Sequence, residues 1–172
     1  MKRMSIALAA LMFAATVQAH NEAQEKAEAA KNAPVLAAAL KDARVSLADG
    51  LKASESEGTP ISGKFEVEDG KLQLSVYTMK GDKYYEVIVD HMSGKVAKSE
   101  PITSGEDLKK AQEQASGMSK AKRSLGEVVA KAEQANVGYK TVSVHAETEN
   151  GAAEADLTLL KGKQSKHLEE KL

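Results

Sequence analysis

Three consecutive runs of alternating apolar and polar residues constrain the fold more than any other feature of this chain. In the third run, Tyr85, Val87 and Val89 fall on one face of an extended strand, as expected when one face is buried. Two short links, Asp69-Gly70 and Gly81-Asp82, separate the three runs. Tight links between three strands predict an antiparallel meander.

The residues after the third run predict a sharp reversal of the chain. Asp90 can accept hydrogen bonds from nearby backbone N–H groups, and Gly94 tolerates a positive φ. The chain is therefore expected to turn between these two residues and to become extended again at Lys95-Val96.

These residues resemble the PepSY domain family, in which a short helix, a strand, an Asp-Gly-Lys turn, a second strand and a closing strand with a Gly-containing turn follow one another. The matching residues are Asp69-Gly70-Lys71, the YEVIVD run at 85–90, and Ser93-Gly94-Lys95-Val96. The resemblance is strong over residues 46–98 and weak over residues 124–172. It implies a non-catalytic module, because the family occurs in propeptides of secreted metalloproteases and in small exported proteins and is thought to restrain proteases.

The second half of the chain repeats landmarks of the first half. Ser46-Leu47 recurs 78 positions later, and both Asp69-Gly70 and Lys80-Gly81 recur 81 positions later, the first as Asn150-Gly151. One three-residue insertion explains all three separations. The sequence thus predicts an α+β fold of two tandem PepSY-like repeats, each a helix packed on a three- to four-stranded antiparallel sheet. The repeats occupy residues 46–100 and, after a helical linker, the degenerate second part of 101–172.

Each repeat begins with a predicted helix that carries a capping box. Ser46 with Asp49, and Ser124 with Glu127, have the spacing at which each side chain bonds the other's backbone N–H. Before them, residues 20–45 form an Ala-rich helical segment that is expected to be interrupted at Asn32-Ala33-Pro34. Residues 165–172 are expected to form either a charged edge strand or a final helical turn.

The first 19 residues predict a cleavable signal peptide. Lys2-Arg3 precedes an apolar stretch over residues 4–17, and Val17-Gln18-Ala19 offers small residues to a signal peptidase. The chain has no Cys, and therefore neither a lipidation site nor a disulfide. We expect a soluble, periplasmic protein that begins at His20 and does not insert into the membrane after cleavage.

The charge balance argues against nucleic acid and anionic membranes as partners. Without Lys2 and Arg3 the chain has 22 basic and 25 acidic residues, whereas both kinds of partner require clustered basic residues. A protein partner fits this composition better.

No catalytic, cofactor-binding or metal-binding residue is predicted, because no recognised catalytic motif occurs. The four histidines are His20, His91, His145 and His167. None forms a ligand pair with another, so we expect exposed histidines, although an N-terminal His20 could chelate copper. Acidic pairs such as Glu66/Glu68 and Glu147/Glu149 could bind a hard cation weakly but are more typical of a solvated face.

Four apolar residues fall on the nominally exposed face of the first predicted sheet: Tyr77, Met79, Tyr84 and Ile88. They form either an interface or a surface that the other half of the protein covers, and the second reading is favoured. The leading hypothesis is a protein-binding module that inhibits or modulates an extracytoplasmic protease or another envelope protein, through this patch or a sheet edge. The alternative is a small-ligand or metal-responsive periplasmic protein. An enzyme ranks last.

Overall fold

The computed structural model describes residues 31–172, which fold as an α+β structure with an antiparallel sheet. The seven strands are β1 (Thr59–Glu68), β2 (Lys71–Lys80), β3 (Lys83–Val89), β4 (Val96–Ile102), β5 (Lys140–Glu149), β6 (Ala152–Lys161) and β7 (Gln164–Lys171). Residues 31–39 are helical and continue into a 3-10 turn, Leu40–Asp42. The other helices are α1 (Leu47–Ser54), α2 (Gly105–Met118) and α3 (Leu125–Ala135). None of the helices within the described part of the chain has the length and hydropathy needed to cross a bilayer.

All seven strands belong to one sheet with the order β4-β3-β2-β1-β5-β6-β7. Every neighbouring pair is antiparallel. The predicted α+β class and the antiparallel meander of β1, β2 and β3 are therefore confirmed. The strands of the two halves join into one sheet through β1 and β5, so that β4 and β7 lie at the edges of the sheet formed by residues 31–172.

The junction of β1 and β5 at the centre of the sheet is short and has a symmetric register. Gly63 lies opposite Val144, which is 81 positions later in the chain, and the flanking pairs are Ser62 with His145 and Lys64 with Ser143. Both strands have a register shift at equivalent places, between Pro60 and Ser62 in β1 and between Thr141 and Ser143 in β5. Thus the irregularities of the sheet also recur at the 81-residue spacing.

Helices α1 and α3 cover one face of the sheet, called the inner face here, and form the main core with it. Leu51 of α1 packs close to Gly63, where an added Cβ would lie 3.1 Å from the Leu51 Cδ2 atom. Fully burying a leucine or valine stabilises a fold by about 1.5–3 kcal/mol, so this cluster dominates stability. Its largest fully buried members are Leu47, Leu51, Leu74, Leu125, Leu157, Leu159, Val76, Val87, Val89, Val128 and Val129.

Helix α2 crosses the opposite face, called the outer face here. Ile61 of β1 is fully buried and forms a second apolar cluster with Ala111 and Ala115 of α2. Near the end of the helix, Gly117 lies against β5, and a Cβ added there would be 2.6 Å from the Glu147 carbonyl oxygen. The middle of the sheet is therefore covered on both faces.

Both predicted capping boxes are confirmed. In α1, Ser46 Oγ accepts a hydrogen bond from Asp49 N at 3.2 Å, and Asp49 Oδ2 accepts one from Ser46 N at 2.8 Å. In α3, Ser124 Oγ accepts from Glu127 N at 3.2 Å, and Glu127 Oε2 accepts from Ser124 N at 2.8 Å. These hydrogen bonds favour the charged carboxylate, and the backbone bond from the serine lowers the pKa of Asp49 and of Glu127 most strongly.

The predicted turn after β3 is also confirmed. Asp90 Oδ1 accepts hydrogen bonds from Met92 N at 3.2 Å and Ser93 N at 2.6 Å, and Gly94 has a φ of 72°. The hydrogen bonds from Ser93 lower the pKa of the Asp90 carboxyl. The chain then continues as β4, so the first meander has four strands.

Two expectations about the ends of the chain have clear outcomes. Residues 164–171 form strand β7, and Leu172 N donates to Ala153 O at 3.0 Å, so the edge strand is correct and the helical turn is wrong. Residues 31–39 are helical without a break, so the predicted interruption at Asn32-Ala33-Pro34 is wrong. A proline lacks an N–H and crowds the carbonyl four residues before it, but the residues after it can continue the helix. The predicted signal peptide and residues 20–30 lie outside the described residues.

Candidate functional site

Helix α2 covers most of the apolar patch that the sequence indicated as an interface. Tyr77, Met79 and Tyr84 pack against the buried Ile61 beneath this helix, whereas Ile88 is half-buried and lies outside that cluster. The reading in which another part of the protein covers the patch is therefore correct for three of the four residues. These three side chains are part of the fold and do not form a free binding surface.

Tyr77 shows how strongly α2 shields this part of the sheet. Its hydroxyl donates to Glu86 Oε1 at 3.3 Å. Burial, followed by the nearby carboxylates of Glu86, Glu66 and Asp107, raises the pKa of the Tyr77 hydroxyl. The phenol stays protonated, which is consistent with a structural hydrogen-bond donor.

The histidines lie at separate places in the fold. His91 follows β3, and its carbonyl oxygen accepts from Arg44 N at 2.9 Å and Val45 N at 3.2 Å. His145 lies across from Asp156 in the register of β5 and β6. His167 of β7 is 3.1 Å from Thr158, measured from Nδ1 to Oγ1. His20 lies outside the described residues.

The last three strands bring together carboxylates that are far apart in the sequence. Carboxylate oxygens of Glu149, Glu154 and Glu169 lie within 4.8 Å of one another. Asp156 pairs with Glu169 in the register of β6 and β7, two residues beyond Glu154 on the same face. We call these four residues, Glu149, Glu154, Asp156 and Glu169, the acidic face.

The acidic face is accessible and incompletely neutralised. Glu149 and Glu169 are exposed, and Glu154 and Asp156 are half-buried. Glu154, Asp156 and Glu169 have no hydrogen bond or ion pair with any residue between 31 and 172. Neighbouring like charges repel each other, so a cationic partner that approaches them relieves this repulsion.

Sequence reasoning singled out only one member of this face, Glu149 in the Glu147/Glu149 pair. It missed Glu154, Asp156 and Glu169 because they reach the same place only through the pairing of β5, β6 and β7. The period of two along β6 was an available signal, since it places Glu154 and Asp156 on one face. No such signal in the sequence indicates the register between β6 and β7, which is needed to add Glu169.

Both free edges of the sheet have features that discourage pairing with another strand. Pro101 lies within β4 and has no N–H to offer a further strand, and Lys98 pairs with Glu100 at 2.7 Å along the same strand. In β7, Glu170 binds Lys131 at 2.9 Å and Arg123 at 3.8 Å. Charges and proline on edge strands oppose strand addition, so partner binding through an edge is less favoured than binding through the acidic face.

Comparisons of the chain with protein-family models, with curated proteins and with solved structures find no match. The resemblance to the PepSY family therefore stays a prediction from the sequence.

Proposed function

We propose that the protein is a non-catalytic, exported binding module built from two tandem PepSY-like units. The symmetric register about Gly63 and Val144 supports this organisation. Ser143 lies 81 positions after Ser62, and His145 lies 81 positions after Lys64. The two flanking pairs, Ser62 with His145 and Lys64 with Ser143, are therefore equivalent. Asp69 and Asn150 also share a φ of 48° at equivalent hairpin turns. Such agreement is expected when two copies of one unit pair about an approximate two-fold axis.

The acidic face is the observation that carries the binding function. It presents carboxylates from three adjacent strands on a hydrogen-bonded sheet, so their positions do not depend on a loop. Its partner, in this proposal, is a basic segment of an extracytoplasmic protease or of another envelope protein. Binding of a basic segment there inhibits or modulates that partner in the periplasm.

Capture from envelope extract with the mature protein as bait tests this proposal. The double variant Glu154→Gln/Glu169→Gln should lose the captured partner, and Glu68→Gln/Glu106→Gln, which removes the same charge from exposed sites elsewhere, should retain it. Binding of the purified partner should weaken between 50 and 300 mM salt, because the Debye length falls to well below about 10 Å. Equal capture by both double variants would exclude the acidic face.

A second candidate is a cation-responsive protein, which the 4.8 Å grouping of Glu149, Glu154 and Glu169 favours. It ranks below the protein-binding function because Ca²⁺ takes about 6–8 oxygen ligands, whereas this group offers three carboxylates on a flat surface. Register also places Lys171 beside Glu154, which reduces the attraction for a metal ion and for a basic segment alike, so the ranking rests on the number of ligands.

Thermal melts of the mature protein with calcium, zinc and copper separate the two candidates. An ion at about 100 times its Kd should raise the melting temperature by roughly 5–10 °C. Loss of a calcium or zinc shift in Glu154→Gln/Glu169→Gln assigns the ion to the acidic face, and loss of a copper shift in His20→Ala assigns copper to the N-terminus. No shift with any ion excludes the cation function.

A further inference from the structure

The hairpin between β5 and β6 closes through the only Asn-Gly pair in the sequence, Asn150-Gly151. Glu149 and Ala152 form the last pair of the ladder, so the two residues between them form the turn. Their φ values are 48° and 83°, and positive φ at both positions is typical of the type I′ turn that favours Asn-Gly. Both residues are exposed, and a Cβ added to Gly151 would meet no atom beyond its chain neighbours within 4 Å. Solvent therefore has free access to this turn.

The two groups of this turn that can react with each other are not held by hydrogen bonds. Within residues 31–172, neither the Gly151 backbone N–H nor the Asn150 side-chain amide forms a hydrogen bond. Asn136 is the contrasting case, because its Nδ2 donates to Ala132 O at 2.7 Å and its Oδ1 accepts from Lys166 Nζ. A glycine nitrogen is also the least shielded backbone nitrogen, since no side chain stands next to it. The side-chain amide of Asn150 is therefore open to attack by the next backbone nitrogen.

We propose that Asn150 is a site of spontaneous deamidation. The Gly151 nitrogen attacks Asn150 Cγ, so that a bond forms between these two atoms and the bond from Cγ to Nδ2 breaks. The proton of the Gly151 N–H passes through solvent to the departing amide nitrogen, which leaves as ammonia, and a five-membered succinimide ring remains. Water opens the ring at Cγ to give aspartate, or at the backbone carbonyl carbon to give isoaspartate. The net reaction consumes one water and releases one ammonia, and it needs no enzyme or oxidant.

The equivalent turn of the first half shows that the hairpin accepts aspartate at this position. Asp69-Gly70 joins β1 to β2, and Asp69 has the same φ of 48° as Asn150. Isoaspartate adds a methylene to the backbone between Glu149 and Ala152 and does not fit their pairing, so aspartate is the product that the hairpin accommodates. The reaction gives the second turn the sequence of the first and adds a negative charge beside the acidic face. It does not depend on the partner proposed above.

Incubation of the purified protein in mildly alkaline buffer at physiological temperature, followed by peptide mapping with mass spectrometry, tests the proposal. The peptide that contains Asn150 should gain the mass difference between a carboxyl and an amide, whereas the peptide that contains Asn136 should keep its mass. A more acidic species should also accumulate on an anion exchanger and elute with the Asn150→Asp variant. Asn150→Gln should not form it, because the longer side chain would have to close a six-membered ring.

The same incubation in urea measures the reactivity of Asn150 without the hairpin. If Asn150 converts in urea but stays intact in the folded protein, the hairpin protects it and the proposal is overturned. Equal conversion of Asn136 and Asn150 in the folded protein would overturn the selectivity argued from their hydrogen bonds. The Asn150→Asp variant should melt within a few degrees of the wild type, since Asp69 occupies the equivalent turn. A large loss of stability would show that the turn does not accept the product.

Discussion

Two helical glycines with opposite surroundings provide the sharpest test of how α2 packs on the sheet. A Cβ added to Gly117 would meet three backbone atoms of Glu147 at 2.6–2.8 Å, whereas one added to Gly126 of α3 would meet only Ser124 Oγ at 3.9 Å. Gly117→Ala should therefore destabilise the protein, and Gly126→Ala should stabilise it.

The expected magnitudes follow from the same distances. Ordinary contacts begin at 3.4 Å, so α2 and β5 must separate by about 0.8 Å to accept an alanine at Gly117. Overpacking of this kind costs about 1–3 kcal/mol and outweighs the gain of up to about 1 kcal/mol from replacing a helical glycine. At Gly126 only the gain remains, about 0.5–1 kcal/mol. Because the gain is common to both, the two variants should differ by the overpacking cost, roughly 1–3 kcal/mol.

Urea unfolding of both variants, followed by circular dichroism, measures this difference. Similar m-values would show that the two variants unfold between comparable states, and the free energies of unfolding could then be compared directly. If Gly117→Ala is as stable as Gly126→Ala, α2 does not lie against β5 at this position, and the description of the covered outer face is wrong.

Three further perturbations test other parts of the fold. The pKa values of Asp49, Asp90 and Glu127 are lowered in the folded protein. The contribution of these carboxylates to the free energy of unfolding is therefore fully present above their unfolded pKa values of about 3.8–4.5, and it is lost as the pH falls through their folded pKa values. Thermal melts from pH 7 to pH 2.5 should therefore show a steeper loss for the wild type than for Asp49→Asn/Glu127→Gln; parallel curves would contradict this. Tyr84→Ser should cost about 2 kcal/mol in urea unfolding, and Ile88→Ser less, because only Tyr84 packs beneath α2; the reverse order would indicate that Tyr84 is free. Asn150→Ala should cost about 1 kcal/mol because its φ is 48°, whereas Asn150→Gly should be neutral or stabilising, and equal stabilities would show that this turn is unstrained.

The parts of the fold that the sequence predicted are determined by neighbouring residues. The two capping boxes each span four residues, and the Asp90–Gly94 turn depends on one carboxylate and one glycine. The strands β1, β2 and β3 follow from alternation and from short links. These signals are local, so they can be recognised without knowledge of the tertiary structure.

The parts that could not be predicted depend on contacts between distant residues. The pairing of β1 with β5 involves three residue pairs between segments about 80 residues apart. So short and distant a contact has no local signal near Gly63 in the sequence. The apolar residues of α2 show that one face is buried but not that it lies on the outer face over Tyr77 and Tyr84. The acidic face forms only when β5, β6 and β7 pair, so the place of Glu169 in it could not be predicted from the sequence.

The short junction at the centre of the sheet also has a consequence for the order of folding. The hairpins on either side of it close over a few residues, whereas the pairing of Gly63 with Val144 closes a loop of about 80 residues and has a larger entropic cost. We expect this pairing to form late. Until it does, β1 and β5 are each exposed along one side, so the middle of the folded sheet is the part of the folding chain that most needs protection from aggregation.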